Sequence, residues 1–352
     1  MARRSNRRDI LQGLGLATAA VLAPTAALSQ PSATATRKTL EGLAPRVRKI
    51  AIEEHLFTPR YTQALRNAGV ERNPPAWSVP LSHDYGEGRI AALDAAGIDM
   101  QILSLSNPGI DPFSTADAIT VSRQVNDEIA ATVQRYPDRF SGFCCLPLQD
   151  PSAAARELER AVTQLRLPAT MININVEGRW MADEKYDELF AAMNQLRVPM
   201  YLHADGPSRP PSDLKPDGSN EDFGLHIVHD VMRIINGPML EKYPHLQFIL
   251  GHGGESLPFW LNRLDSRWRR DDRKFTFSEY FIQHFHVTLS AQCWPALLDF
   301  LIASVGAERI MFATDYPYES LEQHVEFIDN AEISEHQRHL ICHLNAERLF
   351  GV

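Results

Sequence analysis

Apolar positions along this chain gather into short runs, and between the runs they recur at helical spacing. Eight runs stand out: Val47–Leu56, Ile98–Leu105, Phe140–Leu146, Ala169–Ile174, Val198–His203, Leu246–His252, Phe285–Leu289 and Arg309–Asp315. Each has the length and apolar content of a buried strand. Helical stretches separate them, among them Arg89–Ala96, Ala118–Tyr136, Ala153–Leu165 and Pro295–Ser304, and a last helix is predicted over Ser334–Leu349. Strands that alternate with helices form parallel sheets with crossover connections. With an N-terminal leader set aside, roughly 320 residues remain, more than the ~250 typical of a (β/α)8 barrel. The pattern predicts an α/β fold: a single-domain (β/α)8 TIM barrel.

Four of the runs stop on residues with metal-binding or proton-handling chemistry. The first carries Glu53 and His55, the fifth ends on His203, the sixth on His252 and the eighth on Asp315. Side chains alternate faces along a strand, so Glu53 and His55 point the same way and Glu54 the other. Taken singly, each residue has a plain reading. A Glu-x-His pair often lies on a solvated strand, a lone histidine is satisfied in the core, and Asp315 caps a following helix. Taken together they fall at the C-terminal ends of barrel strands, the end where such barrels do their chemistry. The four cysteines stand apart from this set: Cys144 and Cys145 face opposite ways, Cys293 and Cys342 are isolated, and all four read as small buried hydrophobes.

The N-terminus bears on compartment. Arg7-Arg8 is followed by Ile10 and Leu11, then by the uncharged stretch Gly13–Leu28, with small residues near Ala27 and Ser29. That stretch is too short and too rich in Ala, Gly and Thr for a stable membrane span. It predicts a twin-arginine signal over residues 1–29, cleaved on export, with an uncleaved surface anchor as the alternative. Residues 30–45 are predicted to be a flexible lead-in, and 46–352 the barrel. The expected location is periplasmic or secreted. Net charge is −9, and residues 1–29 carry four Arg against Asp9, which leaves the remainder near −12. That balance argues against nucleic acid and anionic membrane surfaces as partners. The Pro/Gly/Ser/Asp-rich stretch Ala204–Asp222 follows the fifth strand and is predicted to be a lid or subunit contact.

From about Ile50 to Val352 the chain resembles the amidohydrolase superfamily, and within it the aromatic-acid decarboxylases that act on γ-resorcylate and dihydroxybenzoates. The resemblance rests on Ile52–His55, Leu93–Asp99, Tyr136–Phe140, Leu146–Asp150, Tyr201–His203, Leu250–Pro258, Phe312–Pro317 and Asn345–Phe350. It implies a mononuclear site of Glu53, His55, His203 and Asp315. Binuclear relatives carry His-x-His on the first strand and a carboxylated lysine on the fourth; this chain has Glu-x-His and no lysine in Thr170–Val176. Two carboxylates and two imidazoles suit one Zn²⁺ or Mn²⁺. His252 is implied to face substrate, with Glu255 fixing its tautomer. The family often carries a bulkier residue at Gly253, so a wider pocket or looser loop is expected there. Arg263 would meet a substrate carboxylate or pair with Asp265. Trp294, Tyr316 and Tyr318 would wall an aromatic substrate or simply pack. Self-association as a dimer or tetramer is also implied, and in transit the twin-arginine machinery would be a partner.

Two reactions fit the same residues. In decarboxylation of an ortho-hydroxybenzoate-like acid, Asp315 gives a proton to the ring carbon. In hydrolysis of a small lactone or amide, Asp315 takes the proton of a metal-bound water. The resemblance favours the first. A third reading, a metal-containing binding protein without catalysis, is disfavoured by the intact ligand set.

Overall fold

The computed structural model describes residues 46–70, 75–173, 180–203, 221–268 and 272–352. The predicted signal over 1–29 and lead-in over 30–45 lie outside these residues, as do 204–220 of the predicted lid. Eight parallel strands follow one another in sequence order: β1 Ile50–Leu56, β2 Met100–Leu105, β3 Phe140–Cys144, β4 Ala169–Asn173, β5 Met200–His203, β6 Phe248–Leu250, β7 Phe285–Thr288 and β8 Ile310–Met311. The sheet closes between its last and first members. Ile52 N–H donates to Phe312 O at 3.2 Å, Asp315 N–H to Glu53 O at 3.0 Å, and His55 N–H to Tyr316 O at 2.7 Å. The predicted single-domain α/β barrel is the observed one.

Two apolar layers hold it. Residues such as Ile50, Ile52, Ile102, Phe143, Met171, Tyr201 and Ile249 fill the barrel interior, and Ala346 and Phe350 of the C-terminal helix join them. A larger layer, including Ala51, Leu103, Phe140, Leu202 and Phe248, packs the strands against the surrounding helices. Helix starts follow sequence chemistry. Thr58, Ser114, Asp150 and Ser320 each accept a backbone N–H in the first turn of the helix they precede.

The first strand departs from plain alternation. Ala51 pairs with Gln101 while Glu54 pairs with Leu103, so β1 carries one residue more than β2 over that interval. Ile52 and Glu53 therefore both face the interior, and His55 follows on the same side. A bulge of this kind re-aims a side chain next to a site. Here it turns Glu53 from the helix layer into the barrel.

Several predicted runs are trimmed. The sixth strand ends at Leu250, so His252 lies in a turn with φ +50°, and the eighth ends at Met311, with Asp315 at φ +65°. Left-handed backbone cannot continue a strand. The predicted last helix is helical from Glu335 to Phe350, but Leu340–Leu344 is a π turn. Ser334 caps it through a reciprocal box with Gln337. Cys144, Cys145 and Cys342 are buried as expected, whereas Cys293 is only half-buried; it sits in the turn before the helix Pro295–Val305 rather than inside an element.

Candidate metal centre

Glu53, His55 and His203 converge where β1 and β5 end, with one ligand atom from each within 4.8 Å of the others. All three are buried. The Glu53 carboxylate is held from one side. Its Oε2 accepts from the Tyr201 hydroxyl, a short contact, and from Thr288 Oγ1 at 3.3 Å. Its Oε1 is buried and accepts no hydrogen bond among the described residues, yet it lies 3.5 Å from His203 Nε2 and 3.8 Å from His252 Nε2. A buried carboxylate oxygen without a donor is costly unless a cation meets it. The same donors, two imidazoles and a carboxylate with no thiolate, suit Zn²⁺ or Mn²⁺. Asn173 Oδ1 lies 3.1 Å from His203 Nδ1, which keeps Nε2 directed at Glu53.

Asp315 completes the rim of this centre. Its Oδ1 is 3.1 Å from His55 Nε2, and its backbone N–H is held by Glu53 O. Burial drives its carboxyl up to about 6, against the pull of His252 and His324. Burial likewise pushes the His252 imidazolium down, but Glu53, the Glu255 hydrogen bond and Asp315 outweigh it and hold the group at about 10. The bond to Glu255 joins His252 Nδ1 to Oε1 at 2.7 Å and leaves Nε2 facing the centre. The structure thus gathers Glu53, His55 and His203 tightly, with Asp315 and the His252–Glu255 pair at their edge.

The other expected site residues are spread more widely. Tyr316 is buried with the Arg89 guanidinium 4.6 Å above its ring, which makes it a packing residue of the β1–β8 seam. Tyr318 is closer to the centre: its ring is 5.6 Å from that of His55, and its hydroxyl shares a 2.8 Å hydrogen bond with Ser106. Trp294 is 64 % exposed where the helix Pro295–Val305 begins. Arg263 is exposed on the helix Leu257–Arg267, and the Asp265 carboxylate instead accepts the Ser278 N–H at 3.0 Å. Gly253 has φ +72°, and a Cβ there would meet Leu297 at 3.3 Å. Its lack of a side chain answers to the left-handed turn and the neighbouring helix.

Sequence reasoning missed a second layer behind the ligands. Tyr201 is two residues before His203 on one face of β5, so strand alternation could have flagged it. Glu54 was placed on the opposite face from Glu53, and so it is, but as the hub of a buried network. It accepts from Thr314 N–H at 2.9 Å, from Thr314 Oγ1 at 2.7 and 2.8 Å, and from Gln101 Nε2 at 2.6 Å. Arg89 supports it, donating to Gln101 Oε1 at 2.6 Å and to His55 O at 2.9 Å. Burial drives the Glu54 carboxyl up to about 8 although Arg89 and Thr314 oppose it. The network joins the residue before His55 to the residue before Asp315.

Comparison with known proteins agrees with this geometry. A match to the family described as Amidohydrolase runs over residues 55–352. The chain belongs to the amidohydrolase family. It is 33 % identical over 322 residues to the γ-resorcylate decarboxylase of Polaromonas sp., a span that covers 86 % of this chain and 98 % of that protein. The crystal structure of 5-carboxyvanillate decarboxylase from Sphingomonas paucimobilis superposes with a TM-score of 0.83 at 30 % identity, covering 87 % of this chain and all of the other. A dihydroxybenzoic acid decarboxylase from Polaromonas sp., solved with bound manganese and the inhibitor 2-nitroresorcinol, gives a TM-score of 0.77 at 30 % identity, covering 87 % and 97 %. Like these relatives, this amidohydrolase-family chain is an enzyme, and its centre fits one divalent metal ion.

Proposed function

We propose that this enzyme is a metal-dependent, non-oxidative decarboxylase of a small ortho-hydroxybenzoate-like acid. The observation that carries the reading is the juxtaposition of the Glu53/His55/His203 cluster with Asp315, whose carboxyl burial holds at about 6. The decarboxylases to which the chain is similar act on acids of this class. Glu53, His55 and His203, with Asp315 beside them, would hold the cation. When bound, it supplies positive charge for a substrate carboxylate and its ortho hydroxyl. Asp315 protonates the ring carbon that bears the carboxylate. The electron pair of the broken C–C bond returns to the ring as CO₂ leaves, and Asp315 is reprotonated from solvent. His252, fixed by Glu255, faces the same space and hydrogen-bonds substrate.

Hydrolysis of a lactone or amide needs Asp315 as proton acceptor. The similarity to decarboxylases of hydroxybenzoate-like acids favours the donor role. The test is a panel of hydroxybenzoates and small lactones, with CO₂ release followed separately from ring opening. Release of CO₂ that is lost in Asp315→Asn supports the reading, and ring opening with no CO₂ contradicts it. Export through a twin-arginine signal over residues 1–29, a periplasmic location and self-association are parts of the same reading. The Arg7-Arg8 pair and the uncharged stretch after it support the first two.

A further inference from the structure

The structure assigns a second divalent-cation site to the C-terminal helical run, at the opposite end of the barrel from the first. His339 and His343 face each other across the π turn Leu340–Leu344. His339 Nδ1 lies 3.0 Å from His343 Nε2, with the rings 5.3 Å apart and nearly perpendicular. Two imidazole nitrogens bound to one cation at ~2.0–2.1 Å stand about 2.9–3.4 Å apart for square to tetrahedral angles. The pair is therefore set for chelation with little movement.

The second ring nitrogen of His343 supplies the stronger argument. Nδ1 lies 3.1 Å from Glu347 Oε1, and Arg48 pairs with that same carboxylate. An ionised carboxylate only accepts, so Nδ1 carries the His343 proton and the Nε2 lone pair points at His339. A carboxylate that orients an imidazole in this way is the usual support of a metal-bound histidine. Without a cation, His339 Nδ1–H donates to that lone pair. With one, His339 shifts its proton to Nε2 and both lone pairs turn to the ion. The His343 side chain is only 13 % exposed, and the pair does not drift freely in solvent. Two imidazoles without thiolate favour Cu²⁺, Ni²⁺ or Zn²⁺ over Mn²⁺, with water in the remaining positions.

The location gives the site a consequence. Arg48 lies just before β1 begins, at the N-terminal end of the barrel. The helical run closes that end with Ala346 and Phe350 and also holds the two-residue strand β8. Asn345 Nδ2 donates to Ala307 O and Ile310 O, and Ile341 O accepts from Phe312 N–H, three residues before Asp315. A cation that ties His339 to His343 clasps the π turn and, through it, the anchor of β8.

The test uses the untagged protein loaded with Mn²⁺ and titrated with Ni²⁺ by calorimetry, with equilibrium dialysis to count both metals. One Ni²⁺ per chain is expected in addition to retained Mn²⁺, with a rise in Tm. His339→Ala and His343→Ala should each remove that Ni²⁺, His336→Ala should not, and Glu347→Gln should weaken it about tenfold or more. Both histidines are partly exposed, and Tm without Ni²⁺ checks that the variants fold. The graded Glu347→Gln effect gives a second reading if an alanine variant does not. Ni²⁺ uptake that is unchanged in His343→Ala, or matched ion for ion by Mn²⁺ release, overturns the assignment.

Discussion

At the scale of single residues, the candidate centre was legible where a polar residue ends an apolar run, because burying such a residue needs a reason. Glu53, His55, His203, His252 and Asp315 stand out that way, whereas Glu255 follows only from the resemblance to the amidohydrolase superfamily. The residues behind them are less marked: Tyr201 shares a strand face with His203, but Thr288 and Asn173 look like ordinary strand residues until folding brings them beside a carboxylate or imidazole. Their roles are testable. Tyr201→Phe removes a donor to Glu53 Oε2, and outer partners of this kind typically contribute 10–100-fold to metal affinity. A drop of about that size is expected in a chelator competition, with the fold retained by circular dichroism. His203→Ala should lose most of the metal, since it removes one of the three clustered ligands. His252→Ala should keep the metal and lose turnover, because His252 Nε2 stands 3.8 Å from Glu53 rather than inside the cluster. Loss of metal in His252→Ala, measured by elemental analysis, would make it a ligand instead.

At the scale of elements, periodicity placed all eight strands and most helices, but it overran the ends of β6 and β8. The backbone turns left-handed at His252 and at Asp315, so neither can lie in a strand, and a pattern of apolar residues carries no sign of that. The bulge in β1 was equally hidden, since Glu53 and His55 share a face with or without it. One loop–helix contact gives a prediction of its own. Asp230, on the helix Glu221–Asn236, accepts from Met181 N–H at 2.9 Å and Ala182 N–H at 3.2 Å. Burial raises its carboxyl to about 6 although both backbone donors oppose the shift. The folded state then keeps a proton that the unfolded chain has lost, so this group makes stability fall as pH rises from about 4 to about 6. Asp230→Asn should flatten that part of a Tm-versus-pH curve, while lowering it throughout because one amide oxygen replaces two acceptors. An unaltered slope would place the titration elsewhere.

At the scale of the whole molecule, the barrel brings residues from β1, β5 and the turn after β8 to one mouth, although they are up to some 260 residues apart in sequence. The Glu54–Thr314–Gln101 network bridges the closing seam, and its members Glu54 and Thr314 adjoin His55 and Asp315 of the candidate centre in sequence. Removing the metal should leave mutually repelling carboxylates buried, so chelation is expected to lower Tm. At 100 times Kd a bound ion contributes roughly 2.7 kcal/mol, and thermal unfolding with and without chelator measures it. No helix among the described residues is long and apolar enough to cross a membrane.

The most direct test of the central claim follows a single atom. Turnover of an ortho-hydroxybenzoate in D₂O, read by proton NMR and mass spectrometry, should place one deuterium on the ring carbon that lost CO₂, and Asp315→Asn should yield no such product. A product without that deuterium, or Asp315→Asn turnover at the wild-type rate, would contradict protonation by Asp315.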